Sequence, residues 1–389
     1  MQTNNKPATR VVMIGDFPRD VDSIGGGVES VMVYLCERLA TRPEIELHVV
    51  TLDRWGMGSR VVQNAGYTAS YVAQSGMRGP LKSRQNESRL LARVNELQPD
   101  LVHAQIAGQY AVAAHRSGKP HILTLHGVRY LEANLRTRLL DRLYRNRVVA
   151  REEYKSIRNA RYIISINPFI DECFSGLLQG QVRHIENPVA DKWFDVEDGG
   201  NESAILYAGR ITSRKDILTL LKAFRIVQTE CPEATLRIAG APDNPDPTGY
   251  FDKMKSYVSA HGLTESVRFL GNLSESALLA EYANNAVFVL AAVLETAPMS
   301  IAQAQAAGRL VVATDAGGCR HMIRNGESGV IVPIGDHEAL GTALIQRIKD
   351  QPGTILMRRK AREDALTRYR ADVIAQRTAD FYDEVLAAS

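Results

Sequence analysis

Short apolar runs alternate with amphipathic helical patterns along this chain, and they do so in two separate series. The first series of runs falls at 10–15, 46–51, 101–103, 121–125 and 162–165. The second falls at 204–208, 235–239, 267–270, 287–293, 310–314 and 329–332. Runs of this length with little polar alternation read as strands buried on both faces. One-faced helices lie between them. Residues 28–40 present Val28, Val31, Met32, Leu35 and Leu39; residues 216–229 present Ile217, Leu220, Leu221, Phe224 and Val227. Such alternation dictates parallel sheets covered by helices on both faces. The series break after Asn187-Pro188-Val189, in the polar stretch 195–203, and 389 residues are more than one core usually fills. The expected architecture is α/β, with two Rossmann-like doubly wound domains, 1–192 and 193–370, facing a cleft. Ligands of open parallel sheets bind outside the carboxyl ends of the strands, so the cleft is where a site belongs.

Composition narrows the class. Hydrophobic residues make up 45% and charged ones 23%, ordinary for a soluble globular protein. Cys36, Cys173, Cys231 and Cys319 are far apart and form no Cys-x-x-Cys pair, which fits a reducing compartment. The apolar run 11–14 is too short for a secretory core, and no stretch approaches the ~20 apolar residues of a spanning helix. A cytoplasmic protein is expected. A net charge of +3 does not suggest nucleic acid, but its distribution is uneven. Between 129 and 161 ten Arg or Lys residues face four acids, with Leu131, Leu135, Leu139, Leu143 and Tyr144 at helical spacing. That pattern reads either as a helix lying on an anionic membrane surface or as a solvated face packed on its own domain.

One segment concentrates the chemistry. After the run 287–293 comes Glu295, a carboxylate at a strand's C-terminal edge, followed by Pro298 and an apolar helix ending at Gly308. Pro298 is expected at the first helical position, where the N–H it lacks would be unpaired anyway. The N–H groups of Met299, Ser300 and Ile301 would then point out of a helix end that favours negative charge. Gln303 adds an amide eight residues after Glu295. Together these suit a phosphorylated ligand with a hydroxyl-rich part.

Two further turns follow the first strand of each series. Gly25-Gly26-Gly27-Val28-Glu29 lets the backbone approach a ligand closely, but its spacing is not the Gly-x-Gly-x-x-Gly of a dinucleotide site. In Gly209-Arg210-Ile211-Thr212-Ser213-Arg214-Lys215-Asp216, Arg210 offers a planar fork of donors and Lys215 a mobile charge. The pair suits a diphosphate; the competing reading is a helix start with ordinary surface cations. His126 and His103 each close a strand, where an isolated His is more often a hydrogen-bonded structural residue. They lack the i, i+4 spacing of a zinc pair. No Asp-x-Asp stands at a strand edge, since Asp243-Asn244-Pro245-Asp246 falls in a Pro- and Gly-rich loop, so no metal site is expected.

Across nearly the whole chain these motifs resemble the family-4 (group 1) glycosyltransferases, retaining enzymes of the two-domain GT-B fold. The resemblance implies a metal-independent hexosyltransferase with a nucleotide sugar as donor, no separate cofactor, and a glycan or lipid-linked acceptor. It also implies residue roles. Glu295 and His126 lie at the donor sugar, and position 303 at the ribose. Arg210, Lys215 and the Met299–Ser300 helix end hold the diphosphate. Gly26 and Gly27 face the phosphate and the acceptor, and the backbone of Leu270 and Gly271 reads the base. The tail 371–389, with Tyr382 and Leu386 on a helical pattern, would cross back onto the first domain. Attachment to the inner membrane face through 129–161 fits such acceptors. Four departures stand out: Gln303 for Glu, Asp216 for Gly, His321 for Glu, and no glycine in Thr296-Ala297-Pro298. Gln still accepts through its carbonyl, so ribose holding would weaken by roughly 1 kcal/mol rather than vanish. The rivals are a nucleotide-sugar epimerase and a non-catalytic nucleotide-sugar-binding or scaffold protein.

Overall fold

The computed structural model describes residues 7–389 except 22, 23, 136–138, 198, 200, 243–245 and 247, and at 80, 134 and 139–146 the backbone alone. The chain forms two compact units, Met1–Pro188 with Ala371–Ser389, and Val189–Arg370.

The first unit is built on an eight-stranded sheet. Its strands are β1 (Thr9–Ile14), β2 (Ile45–Asp53), β3 (Arg60–Asn64), β4 (Tyr67–Ala73), β5 (Leu101–Ala104), β6 (His121–Leu125), β7 (Tyr162–Ser165) and β8 (Gln181–His184). They lie in the order β3-β4-β2-β1-β5-β6-β7-β8. All neighbours are parallel except β3, which pairs antiparallel with β4. The all-parallel expectation fails at that edge. An edge strand keeps one flank in water, and Val61 and Val62 are exposed, so β3 has no buried run to read. The helix Gly27–Leu39 buries Val31, Met32, Leu35 and Leu39, as its periodicity requires. The C-terminal helix Ala371–Ala387 belongs to this unit and packs against it. Its buried stripe is Ile374, Thr378, Phe381, Tyr382 and Val385, while Leu386 sits half-buried at the margin.

The second unit carries six parallel strands, β9 (Asn201–Ala208), β10 (Thr235–Ala239), β11 (Val267–Gly271), β12 (Asn285–Leu290), β13 (Leu310–Thr314) and β14 (Val330–Val332). Their order is β11-β10-β9-β12-β13-β14. The order reverses between β9 and β12, which is the topological switch point where doubly wound sheets hold ligands. The loops leaving those two strands are 209–216 and 291–298. Topology alone therefore brings Arg210, Lys215 and Glu295 to one crevice.

The stretch 129–161 is two helices, Arg129–Asn134 and Leu139–Asn159, rather than one continuous stripe. Glu153 is fully buried and accepts from the N–H groups of Arg129 (2.9 Å) and Tyr130 (3.1 Å), tying the two helices together. Leu131 is half-buried and Leu135 is exposed; the side chains of Leu139, Leu143 and Tyr144 lie outside the described residues. No helix among the described residues is long and apolar enough to cross a membrane.

Candidate active site

β12 ends at Leu290, three residues earlier than its apolar run, because Ala291 and Ala292 leave the ladder while staying buried. Glu295 is therefore not on a strand edge. It sits in the switch-point loop, where it bridges to Gly317, and its backbone carbonyl accepts from Gly318 N–H at 2.8 Å. The side chain is 7% exposed and its Oε1 takes two cations, Lys215 Nζ at 2.6 Å and Arg214 Nη1 at 3.1 Å. The same Arg214 nitrogen also donates to the Leu294 carbonyl at 2.7 Å, and Val293 N–H donates to the Arg214 carbonyl at 2.9 Å. The two switch-point loops are thus stitched together around the acid. Both of these cation contacts fall on Oε1. Lys215 has three donors and gives one to Glu295, so two remain for an anion.

Sequence reading missed Arg214. Its only signal was adjacency to Lys215, in a 3-10 turn at Ser213–Lys215. Arg210 is exposed at the mouth of the same loop, and its carbonyl accepts from the buried Tyr207 hydroxyl at 2.9 Å. Burial raises the Tyr207 phenol well above its ordinary range, so it is a neutral donor. Asp216 has φ 43° and ψ 47°. A left-handed residue is what the usual glycine supplies, and Asp is among the few others that tolerate it. The departure from the family pattern therefore preserves the backbone.

Pro298 is the N-cap of the helix Met299–Ala306, with extended ψ, rather than its first helical residue. Its carbonyl accepts from Ile301 N–H at 3.0 Å. Ile301 is accordingly withdrawn from the expected anion cradle, which consists of the Met299 and Ser300 N–H groups. Gln303 lies buried on that helix, about one turn from its start at Met299. Gly271 ends β11 at φ 67° next to Leu270, and its carbonyl takes the Gly240 N–H at 2.8 Å. Asp246 caps its own loop through Thr248 and Phe251 N–H; residues 243–245 lie outside the described residues. No group of three His, Cys, Asp or Glu able to hold a metal occurs among the described residues.

The first unit holds Gly26, Gly27 and His126. Gly26 caps the helix Gly27–Leu39, and space around it is open. Glu29 reaches back to Gly25 N–H at 2.7 Å and pairs with Arg54. His126 Nε2 meets Gln105 Oε1 at 2.7 Å, and burial holds its pKa down at about 4. His103 is structural: its ring nitrogens meet Tyr382 hydroxyl at 2.7 Å and Thr124 hydroxyl at 2.6 Å, and burial lowers its pKa to about 3. His321 has its carbonyl held by Arg368 at 3.1 Å.

Residues 191–367 match the family described as Glycosyl transferases group 1, and residues 25–192 match Glycosyltransferase Family 4. The chain belongs to the group 1 GT-B glycosyltransferases. The 2-deoxystreptamine N-acetyl-D-glucosaminyltransferase of Streptomyces fradiae is 24% identical, the match covering 94% of this chain and 92% of that protein. The phosphatidyl-myo-inositol mannosyltransferase of Mycobacterium leprae is 30% identical over 46% of each protein, so the chain spans under half of that relative. Sucrose-phosphate synthase of Thermosynechococcus elongatus shares the fold with a TM-score of 0.81 at 19% identity, covering 98% of this chain and all of that one.

Proposed function

We propose that this glycosyltransferase moves a hexose from a nucleoside-diphosphate sugar to an acceptor hydroxyl, without a metal and with retention of anomeric configuration. The observation that carries the reading is the buried Glu295 carboxylate, held on Oε1 by Lys215 and Arg214 at the switch point of the second sheet. Its Oε2 would accept from a hydroxyl of the donor sugar. The diphosphate would take the two spare Lys215 donors, Arg210 and the Met299 and Ser300 N–H groups. Its charge grows as the sugar departs, and fixed donors stabilise that growth most. Among the described residues the ionic partners of Glu295 are cations and not a second carboxylate, so a double displacement lacks its partner. Same-face attack, with the departing phosphate taking the acceptor's proton, is the step these residues can support. His126 would contact the donor sugar, Gln303 the ribose, the Leu270–Gly271 backbone the base, and Gly26 and Gly27 the acceptor side.

A lipid-linked or cell-surface glycan acceptor, reached from the cytoplasmic side, completes the reading. Arg147, Arg151, Lys155 and Arg158 form an exposed cationic stripe on the helix Leu139–Asn159, which suits an anionic membrane surface. The M. leprae relative is, by its name, a transferase to a phosphatidylinositol.

The test is a panel of nucleotide sugars and acceptors with release of nucleoside diphosphate as the readout, followed by the product's anomeric configuration. Release that is lost in Arg210→Ala, with the anomer retained, is the expected result. An inverted anomer refutes the mechanism. Binding with no release under any acceptor refutes catalysis, and turnover without an acceptor would mean an epimerase.

A further inference from the structure

Gln105 follows β5 directly and is 1% exposed. Its amide lies between two buried imidazoles. The Nε2 side faces His103, 3.1 Å from its Nε2 and 3.4 Å from its Nδ1, and Oε1 faces His126 Nε2 at 2.7 Å. An amide N–H can donate only to a ring nitrogen that bears no proton. Donation to the nearer nitrogen, Nε2, leaves the His103 proton on Nδ1, which meets the Tyr382 hydroxyl at 2.7 Å, with the Thr124 hydroxyl 2.6 Å from Nε2. The Gln105 carbonyl, in turn, can only accept, so His126 must carry its proton on Nε2. Its other nitrogen, Nδ1, is buried and makes no hydrogen bond of full geometry, nor does Asn187 Oδ1, although the Asn187 side chain stands beside the ring and favours its protonated form. Both residues line a cavity of ≈ 20 Å³, enough for one water-sized group.

We propose that Gln105 is a positioning residue: it locks His126 in the Nε2–H form and leaves Nδ1 as a bare acceptor in the cavity wall, ready for a ligand hydroxyl. The lock extends through His103 to Tyr382, so the C-terminal helix helps set which proton His126 carries. Reversal of the Gln105 amide would reverse every donor in the chain and move the His126 proton to Nδ1. The residue thus decides whether His126 accepts from a sugar hydroxyl or donates to a sugar oxygen. Its catalytic consequence rests on the sugar-transfer reading; its tautomer does not.

The test is long-range imidazole ¹H–¹⁵N NMR of the full chain, with His126 assigned from a His126→Gln control. Wild type should show a protonated Nε2 and a bare Nδ1 at His126, and Gln105→Leu should lose that preference. Gln105→Glu keeps the shape and places a carboxylate on Nε2, so His126 should take up a second proton near neutral pH, with a matching inflection in the pH profile of transfer. Gln105→Leu should also lower kcat/KM about tenfold, the size of one lost hydrogen bond. Wild-type His126 protonated on Nδ1, or an unchanged tautomer in Gln105→Leu, overturns the proposal. If Gln105→Leu does not fold, an unshifted His126 titration in Gln105→Glu overturns it instead. Lost transfer in every protein, wild type included, with the expected tautomers would count against the reaction and not the lock.

Discussion

Glu295→Ala separates the two jobs of the switch-point cluster. The carboxylate is 7% exposed, Lys215 is 12% exposed and Arg214 is 27% exposed. Removing one partner of a buried ion pair costs about 3–5 kcal/mol, because it strands a charge. Here Lys215 is flexible and Arg214 is a quarter in solvent and still bonded to the Leu294 carbonyl, so ~2–3 kcal/mol is the better figure. In a unit of this size that lowers Tm by roughly 4–12 °C. One of the variant's two stranded cations, Lys215, is however assigned to the diphosphate. A nucleoside diphosphate should therefore bind Glu295→Ala at least as tightly as wild type, and recover much of the lost stability. At 100 times its dissociation constant a ligand adds about 2.7 kcal/mol. Differential scanning fluorimetry with and without a panel of nucleoside diphosphates reads both quantities, and sugar transfer should be lost throughout. A variant whose Tm falls by less than about 1 °C, or one that no longer binds any nucleoside diphosphate held by wild type, would refute the reasoning.

Asp216→Gly should leave stability within about 0.5–1 kcal/mol of wild type, since relief of left-handed strain offsets the freedom Gly gains when unfolded, whereas Asp216→Val should lose about 1–2 kcal/mol by chemical denaturation. Gly240→Ala should lose ~3 kcal/mol or more or fail to express, because the added Cβ would lie 2.0 Å from the Gly209 carbonyl oxygen at φ 133°; a urea midpoint near wild type would contradict this. Burial raises the Glu153 carboxyl to about 7, outweighing the Arg129 and Tyr130 N–H bonds that pull it down. A raised carboxyl is held protonated by the folded state, so its contribution is complete below the ordinary carboxylate range and is lost as pH climbs through about 7. Urea midpoints should fall between pH 5 and pH 8 by the equivalent of ~3 kcal/mol, and Glu153→Gln should flatten the slope.

What could be read ahead of the structure was whatever depends on one strand and the loop that leaves it. Continuous apolar runs mark β1, β6, β12 and β13 because both faces of each are covered, and the loops at their carboxyl ends then declare the candidate residues. β3 left no such mark, since its Val61 and Val62 face solvent at an edge. Arg214 was equally silent: its contact with Glu295 spans 81 positions and exists only because strand order reverses between β9 and β12. Asp216 shows the opposite error, a residue that looks like a loss until its φ of 43° reveals that the backbone demanded glycine's conformation and Asp can meet it. Gln105 lies beyond any spacing rule. Its role follows from which end of an amide faces which ring, and that direction is set jointly by β5, β6 and a helix 279 residues from His103. Residue types and strand ends are therefore local information, whereas partner choice and proton direction belong to the packed molecule. For that reason the departure at 216 changes little by itself, and the decisive experiments concern what Lys215, Arg214 and Gln105 hold in place.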